Sequence, residues 1–446
     1  MHQEWVPNVI FGWNALWVAS LIMLATYAVI MMERINRAIA ALVGAALMVM
    51  LGVLNQAAAF RGIDFNTIAL LTGMMIIVNI TRKCGIFQYV AIRSAKWVKA
   101  SPWGILLMLS WVTAIVSALL DNVTTVLLIV PVTLAITKEL QVPPYPFLFA
   151  EVLASNIGGT ATLIGDPPNI LIGSAVGISF NEFVVNLTPV IILIMIVQGA
   201  MTHFVWGRTM HSTPEHRAAV MAFKEREAIT DPLLLKQSML VLAIVMFAFV
   251  VARGLHLEPG TIAMSGAALL LLLDNYAHAA EHQSRKVTEA LSEVEWITIF
   301  FFMGLFIVVY GVEVSGLLKM IADWLITQTG GDLALTGYVV LWASAVLSAI
   351  IDNIPFVATM IPLIKNMATT FGGPEAIMPL WWCLSLGACL GGNGTLVGAS
   401  ANLTVAGLAE RNGIPFRFWV YTKYAFPVML VSVAIAHVYV WLRYFS

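Results

Sequence analysis

The chain has 446 residues, 60% of them hydrophobic and 11% charged, a formal net charge of −1 and a mean hydropathy of +0.90. An ordinary soluble domain cannot hide that much apolar surface, and a near-neutral balance with no basic tail argues against a nucleic-acid partner. The three cysteines, Cys84, Cys383 and Cys389, form neither a disulfide framework nor a CxxC pair.

In chain order, a polar start (MHQEWVPN) leads into the apolar run Ala15–Met32, which reads as a retained span and not a removed signal peptide. Ala38–Leu54 and Asn66–Ile80 follow. Trp103–Leu120 and Val123–Ile136 are separated by Asp121-Asn122, and the run Asn156–Asn169 reads NIGGTATLIGDPPN. Val184–Phe204 is of spanning length, and Arg208 to Lys236 is the longest polar segment. Beyond it come the shorter Ser238–Val251, the span Ile297–Gly311, and Leu341–Ile351 and Ile354–Ile361 on either side of Asp352-Asn353. The run Gly391–Asn402 reads GGNGTLVGASAN, and Ala425–Leu442 is a last span. Unbroken apolar runs of this length are helical and exclude the short alternating strands of a membrane barrel. The fold class expected is an all-α polytopic membrane protein.

The polar signatures occur twice. SALLDN at Ser117–Asn122 returns as SAIIDN at Ser348–Asn353, an offset of 231, and Gly158–Asn169 is answered by Gly391–Asn402 at an offset of 233. At the first offset Asn66–Ile80 lines up with Ile297–Gly311, Asp64 with Glu295, and Cys84-Gly85 with Ser315-Gly316. Basic residues cluster at Arg34/Arg37, at Arg82/Lys83/Arg93/Lys96/Lys99, through Arg208–Lys236 and at Arg285/Lys286. Placing these in the cytoplasm puts the N-terminus outside and makes the copies run in opposite senses, the arrangement of alternating-access secondary transporters. The expected organisation is an N-terminal repeat over 1–207, a cytoplasmic linker over 208–236 and an inverted C-terminal repeat over 237–446. The membrane expected is a bacterial or archaeal plasma (inner) membrane.

An apolar run interrupted by Asp-Asn suggests a re-entrant hairpin or broken helix, whose freed backbone groups must be satisfied inside protein or by water. A carboxylate at membrane depth is costly and functional by default. The alternative is a turn residue capping the next helix. Asp121, Asp352 and Asp166 are the candidates for proton or cation coupling, with Asp166 open equally to a capping role. Asn122, Asn156, Thr160, Asn169, Asn353, Asn393, Thr395 and Asn402 are the candidates for solute binding, because amides, hydroxyls and half-helix ends make a neutral polar pocket. The second copy has Ala399-Ser400-Ala401 in place of Asp166-Pro167-Pro168, so the acidic group is in one half only. No basic residue lies within these runs, which argues against a bare anion as substrate. Glu151 is buried or interfacial, Asp64 and Glu295 read as helix-end charges, and a packing hydrogen bond explains Asn79 as well as any functional role. Cys383 and Cys389, six apart, offer at most a weak thiol contact to a soft solute. No metal site, cofactor or catalytic motif of the HExxH or GxSxG type is legible, and the protein is expected not to be an enzyme. With no Walker motif, transport must draw on an ion gradient, a passive pore or a separately encoded soluble ATPase subunit.

The GDPPN element at Gly165–Asn169, the preceding NIGGTATL and the paired SALLDN/SAIIDN segments resemble the ArsB/NhaD branch of the ion transporter superfamily over roughly Trp13 to Tyr444. That branch holds arsenical-pump membrane proteins, sodium/proton antiporters and the melanosomal P protein group. The resemblance implies two inverted repeats, hairpin tips at Asp121-Asn122 and Asp352-Asn353, helix breaks at Gly165–Asn169 and Gly398–Asn402, and in many members a homodimer. Relatives that carry dicarboxylates show Ser-Asn-Thr at the tips, where this chain has Asp-Asn-Val and Asp-Asn-Ile-Pro. The function expected is therefore efflux of arsenite and antimonite in exchange for protons, conferring arsenic resistance. A sodium/proton antiporter on the same tips is the alternative, with an organic anion transporter or a channel behind it. Protons, a small inorganic solute and the lipid bilayer are the partners this implies.

Overall fold

Side-chain caps mark several of the helix starts. A computed structural model describes residues 5–32, 34–276 and 278–446. Helix α1 (Ala15–Met32) is followed by α2 (Arg37–Met50), capped by the Asn36 side chain, and by short α3 (Gln56–Gly62), capped by Asn55. Asp64 caps α4 (Phe65–Arg82) by accepting from the amides of Asn66 and Thr67. After α5 (Ile86–Trp97), helix α6 (Pro102–Leu119) stops in extended backbone at Leu120, and α7 (Asn122–Leu140) restarts with Asp121 as its cap. Helix α8 (Tyr145–Gly159) unwinds at Thr160, and α9 (Pro167–Val176) begins on the two prolines, which are tolerated in a first turn because its N–H groups have no intrahelical acceptor. Helix α10 (Phe180–Thr202) opens on a Ser179/Glu182 capping box.

Past α11 (Pro214–Met221) in the polar linker come α12 (Pro232–Leu255), α13 (Pro259–Asn275), α14 (Ala280–Ser292), α15 (Trp296–Val314) and α16 (Leu317–Gln328). Helix α17 (Leu333–Ile350) ends in extended backbone at Ile351, and α18 (Asn353–Met367) starts on the Asp352 cap. Helix α19 (Met378–Gly391) unwinds into Gly392–Ala399, after which α20 (Ser400–Arg411) and α21 (Phe418–Val440) complete the chain. Among the described residues nine helices are long and apolar enough to cross a membrane. Leu21 on α1, Ile196 on α10 and Phe247 on α12 stay more than half exposed, as side chains facing lipid do. The protein is an all-α, multi-pass membrane protein.

Two sets of contacts place the helix breaks. The unwound segment after α8 is pinned against the end of α6: Ser117 Oγ donates to Ser155 O at 2.7 Å and Thr162 Oγ1 to Ala118 O at 2.5 Å. The segment after α19 is pinned against α17 by the matching pair, Ser348 Oγ to Ala388 O at 2.7 Å and Thr395 Oγ1 to Ala349 O at 2.5 Å. Only glycine fits the closest approach. A Cβ on Gly165 would lie 2.5 Å from both Gly159 O and Ser117 O, and one on Gly398 would lie 2.6 Å from Gly392 O and 2.9 Å from Ser348 O.

The linker grips the feet of α6 and α7. Arg217 donates to Lys99 O, just before α6, and Ser212 Oγ to Leu140 O, the end of α7. Thr230 bonds the carbonyls of Lys83 and Cys84 just past α4, and Glu225 accepts from Arg93 at 3.0 Å and Lys96 at 2.6 Å on α5.

Candidate functional site

The breaks bring five buried amide and acid side chains into one hydrogen-bonded array. Asn122, at the head of α7, donates to Asn156 Oδ1 at 3.0 Å and Asp166 Oδ1 at 3.2 Å. Asn156 donates in turn to Asn393 Oδ1 at 2.9 Å and Asn402 Oδ1 at 2.8 Å, across the chain from α8 to the α19–α20 break. Asn402 spends its amide on the carbonyls of Gly392 and Thr395. Asn169 does the same with Thr160 O and Thr162 O, and its Oδ1 accepts from Ser385 Oγ at 2.6 Å. Buried polar groups must be paired, and these two asparagines pair the carbonyls that unwinding leaves bare.

Of the expected solute-binding residues, Asn122, Asn156, Asn393 and Asn402 thus meet in one array with Asp166, whereas Asn169 bonds to its own unwound segment and to Ser385. Thr160 and Thr395 bond back to Asn156 O and Ala349 O. Asp121 caps α7 through the Thr124 amide at 2.8 Å and also accepts from the Thr124 hydroxyl. Asp352 Oδ1 caps α18 through Ile354 N at 3.1 Å. Asp166 makes no cap to α9, so its side chain is free for the array. Asp166 Oδ2 and Asn353 Nδ2 are buried without a hydrogen-bond partner among the described residues.

Both orphans border one cavity of about 20 Å³, lined also by Asp121, Asn122, Glu295, Thr298, Arg37 and Ser400. That volume admits about one water, hence one ion of similar size. A larger cavity of about 310 Å³ adjoins it, sharing Arg37 and Ser400 and adding Asn36, Asp352 and Thr404; this volume falls in the range of small-molecule sites.

Two of these residues lay outside the sequence expectation. Arg37, at the first position of α2, donates to Ser400 Oγ at 2.6 Å, Asp352 Oδ2 at 3.3 Å and Thr298 Oγ1 at 3.1 Å, with its guanidinium 5.2 Å from the Phe301 ring centre. Expecting no basic group at the site failed because Arg37 precedes the first signature by a long stretch of chain. Glu295 is at a helix start, as expected, but makes no cap there; it accepts from Thr298 Oγ1 at 3.1 Å and faces the cavity. Its sequence partner Asp64 does cap its helix.

Glu151 is buried on Thr133 at 2.5 Å. Cys389 Sγ lies 3.6 Å from Asn169 Oδ1, whereas Cys383 packs toward Gly337 on α17. Only one thiol therefore reaches a candidate solute-binding residue. Among the described residues no group of three His, Cys, Asp or Glu could hold a metal.

The family model that matches is described as a citrate transporter, CitMHS, and covers residues 27–387. An uncharacterized transporter of Mycobacterium tuberculosis is 44% identical over 432 residues, covering 96% of this chain and 98% of its own. The human P protein is 32% identical over 506 residues, covering 95% of this chain and 59% of that protein. The crystal structure of the YdaH transporter of Alcanivorax borkumensis superposes with a TM-score of 0.61 at 15% identity, over 96% of this chain and 97% of that one; at that identity it speaks for the fold alone. The family match overturns the ArsB/NhaD assignment, and with it arsenite efflux and arsenic resistance. Physically, the shared GDPPN and Asp-Asn elements build the helix breaks, and helix breaks do not identify a solute.

Proposed function

The chain belongs to the citrate-transporter family, and from that membership we propose that it is a secondary transporter coupling a small organic carboxylate, with citrate as the first candidate, to a proton or another cation. Transporter, and not enzyme, is the class of the family itself. The observation that carries the coupled reading is the pair of orphaned atoms, Asp166 Oδ2 and Asn353 Nδ2, at a cavity sized for one small ion beside another sized for a solute. The ion would be taken by Asp166 and Asp121 with Asn122 and Asn353. The amide array through Asn156, Asn393 and Asn402 would hold the two breaks in register around it.

We read the chain as two inverted repeats with re-entrant hairpins at α6–α7 and α17–α18. Both feet of the first pair pack on the linker, beside the end of α4. Lys365 near the end of α18 borders a cavity with Arg61, Asp64 and Tyr310, beside the start of α4. An 18-residue helix is about 27 Å long, so the two hairpins would enter from opposite membrane faces. With the linker cytoplasmic, the N-terminus lies outside. A second reading, cation/proton exchange, is favoured by charge: Asp121, Asp166, Glu295 and Asp352 face Arg37, among the described residues the one basic side chain lining either cavity.

The test is labelled-citrate uptake into proteoliposomes under imposed proton or sodium gradients, for wild type and Asp166→Asn. Uptake against a citrate gradient in wild type, with only downhill flux in the variant, is the expected result. Unchanged accumulation in Asp166→Asn would remove Asp166 from coupling. Cation exchange with no citrate flux would leave the second reading standing.

A further inference from the structure

We propose that Arg37 is the side chain that recognises the substrate carboxylate, and that in the substrate-free protein Asp352 stands in for that carboxylate as an internal competitor. This rests on the reading of the chain as a carboxylate carrier.

The position of Arg37 is electrostatically unfavourable for its own helix. It is the first residue of α2, where the helix dipole favours acidic groups and not basic ones. Its location is accounted for by what it reaches: α15 through Thr298 and Phe301, the α17–α18 break through Asp352, and the first turn of α20 through Ser400. One guanidinium therefore touches three elements: α15, the start of α18 and the start of α20.

Its pairing with Asp352 is poor for two charged groups. The contact is a single one at 3.3 Å, longer than the about 2.7–2.9 Å of a strong charge-assisted bond, and it is not the two-pronged Arg–carboxylate fork. The cause is local. Asp352 Oδ1 is committed to the Ile354 amide, and Oδ2 also lies 3.4 Å from Ser400 Oγ. A guanidinium carries five N–H donors in a planar fork that matches a carboxylate, and Asp352 engages only one of its nitrogens. The side chain of Arg37 is 27% exposed and that of Asp352 13%, both toward the 310 Å³ cavity. A small carboxylate entering there meets an incompletely used guanidinium, with Asn36, Ser400 and Thr404 as further polar groups. On docking in the fork it displaces Asp352, leaving a carboxylate next to the ion-sized cavity. The solute thus creates an uncompensated negative charge beside the place where the cation binds, and this links the two events.

The test is isothermal titration of the full chain in nanodiscs with citrate, succinate and acetate, for wild type, Arg37→Gln, Arg37→Lys and Asp352→Asn. Size-exclusion profiles and melting curves report folding of each. The inference expects wild type to bind at least one of the three. It expects Arg37→Gln to weaken that binding at least tenfold, Arg37→Lys to recover part of the loss, and Asp352→Asn to tighten binding severalfold. Asparagine is itself a good helix cap, so Asp352→Asn keeps the start of α18 and reads the competition even if Arg37→Gln misfolds. Equal affinity in wild type and folded Arg37→Gln, or weaker binding in Asp352→Asn, overturns the competition and leaves the carboxylate reading in place. Wild type binding none of the three overturns both.

Discussion

Replacing Asn156 by leucine is the sharpest test of the amide array. Asn156 is fully buried, accepts from Asn122 at 3.0 Å, and donates to Asn393 at 2.9 Å and Asn402 at 2.8 Å. Leucine is of similar size, so the loss is polar and not a cavity. Hydrogen bonds between membrane helices average about 0.6 kcal/mol, and three of them give about 2 kcal/mol. The Oδ1 atoms of Asn393 and Asn402 then lose the donor they share, and a buried group left unsatisfied costs about 1–3 kcal/mol. Asn402 cannot turn away to recover, because its amide is tied to Gly392 O and Thr395 O. The larger figure therefore applies, and the expected destabilisation of Asn156→Leu is about 5 kcal/mol. It is read by denaturant unfolding in mixed micelles, with Asn402→Ala completing a double-mutant cycle whose coupling should exceed about 1 kcal/mol. A variant within about 0.5 kcal/mol of wild type, or a cycle that is additive, would refute the claim that this array ties the two breaks together.

Gly165→Ala places a methyl 2.5 Å from two backbone carbonyls, and Gly398→Ala meets a looser pair at 2.6 and 2.9 Å. Melting curves should show a loss of about 1–3 kcal/mol for the first and less for the second; the reverse order would contradict the packing. Glu225 is held at a pKa of about 2, down from 4.5, chiefly by the hydrogen bond from Lys96, with Arg93 adding to it. Its folded pKa is depressed, so the stabilisation is complete above pH 4.5 and is lost as pH falls through about 2. Glu225→Gln should speed proteolysis of the linker at pH 7, and its melting temperature should converge on that of wild type as the pH is lowered from 4.5 toward 2. Convergence already complete above pH 4.5 would contradict this sign.

The helical class was legible because a span needs only a long apolar run, and the breaks because Asp-Asn and Gly-Asp-Pro-Pro interrupt such runs. That Asn122, Asn156, Asn169, Asn393 and Asn402 belong to repeated polar segments was legible too, since repetition marks residues that answer the same structural need. What each amide does was not. Asn169 and Asn402 look alike as pocket groups, yet both are consumed by carbonyls of their own unwound segments. Arg37 was invisible because spacing within a motif says nothing of a side chain delivered by a separate helix. Glu295 and Asp64 align in sequence, but one faces a cavity and the other caps a helix; a one-dimensional register does not carry side-chain direction. The solute was misjudged for a related reason: the signature that repeats best is the one that builds the scaffold.

The linker is the only covalent tie between the segments on its two sides, yet it is far from the only tie. Asn66 on α4 accepts from Gly260 on α13 at 2.7 Å, Arg82 pairs with Glu293 at 3.1 Å, and Tyr439 on α21 donates to Asn186 O at 2.7 Å. Together with the bonds from Asn156, these run from one end of the helices to the other. A chain cut within the linker would still have these contacts to hold its two fragments to each other.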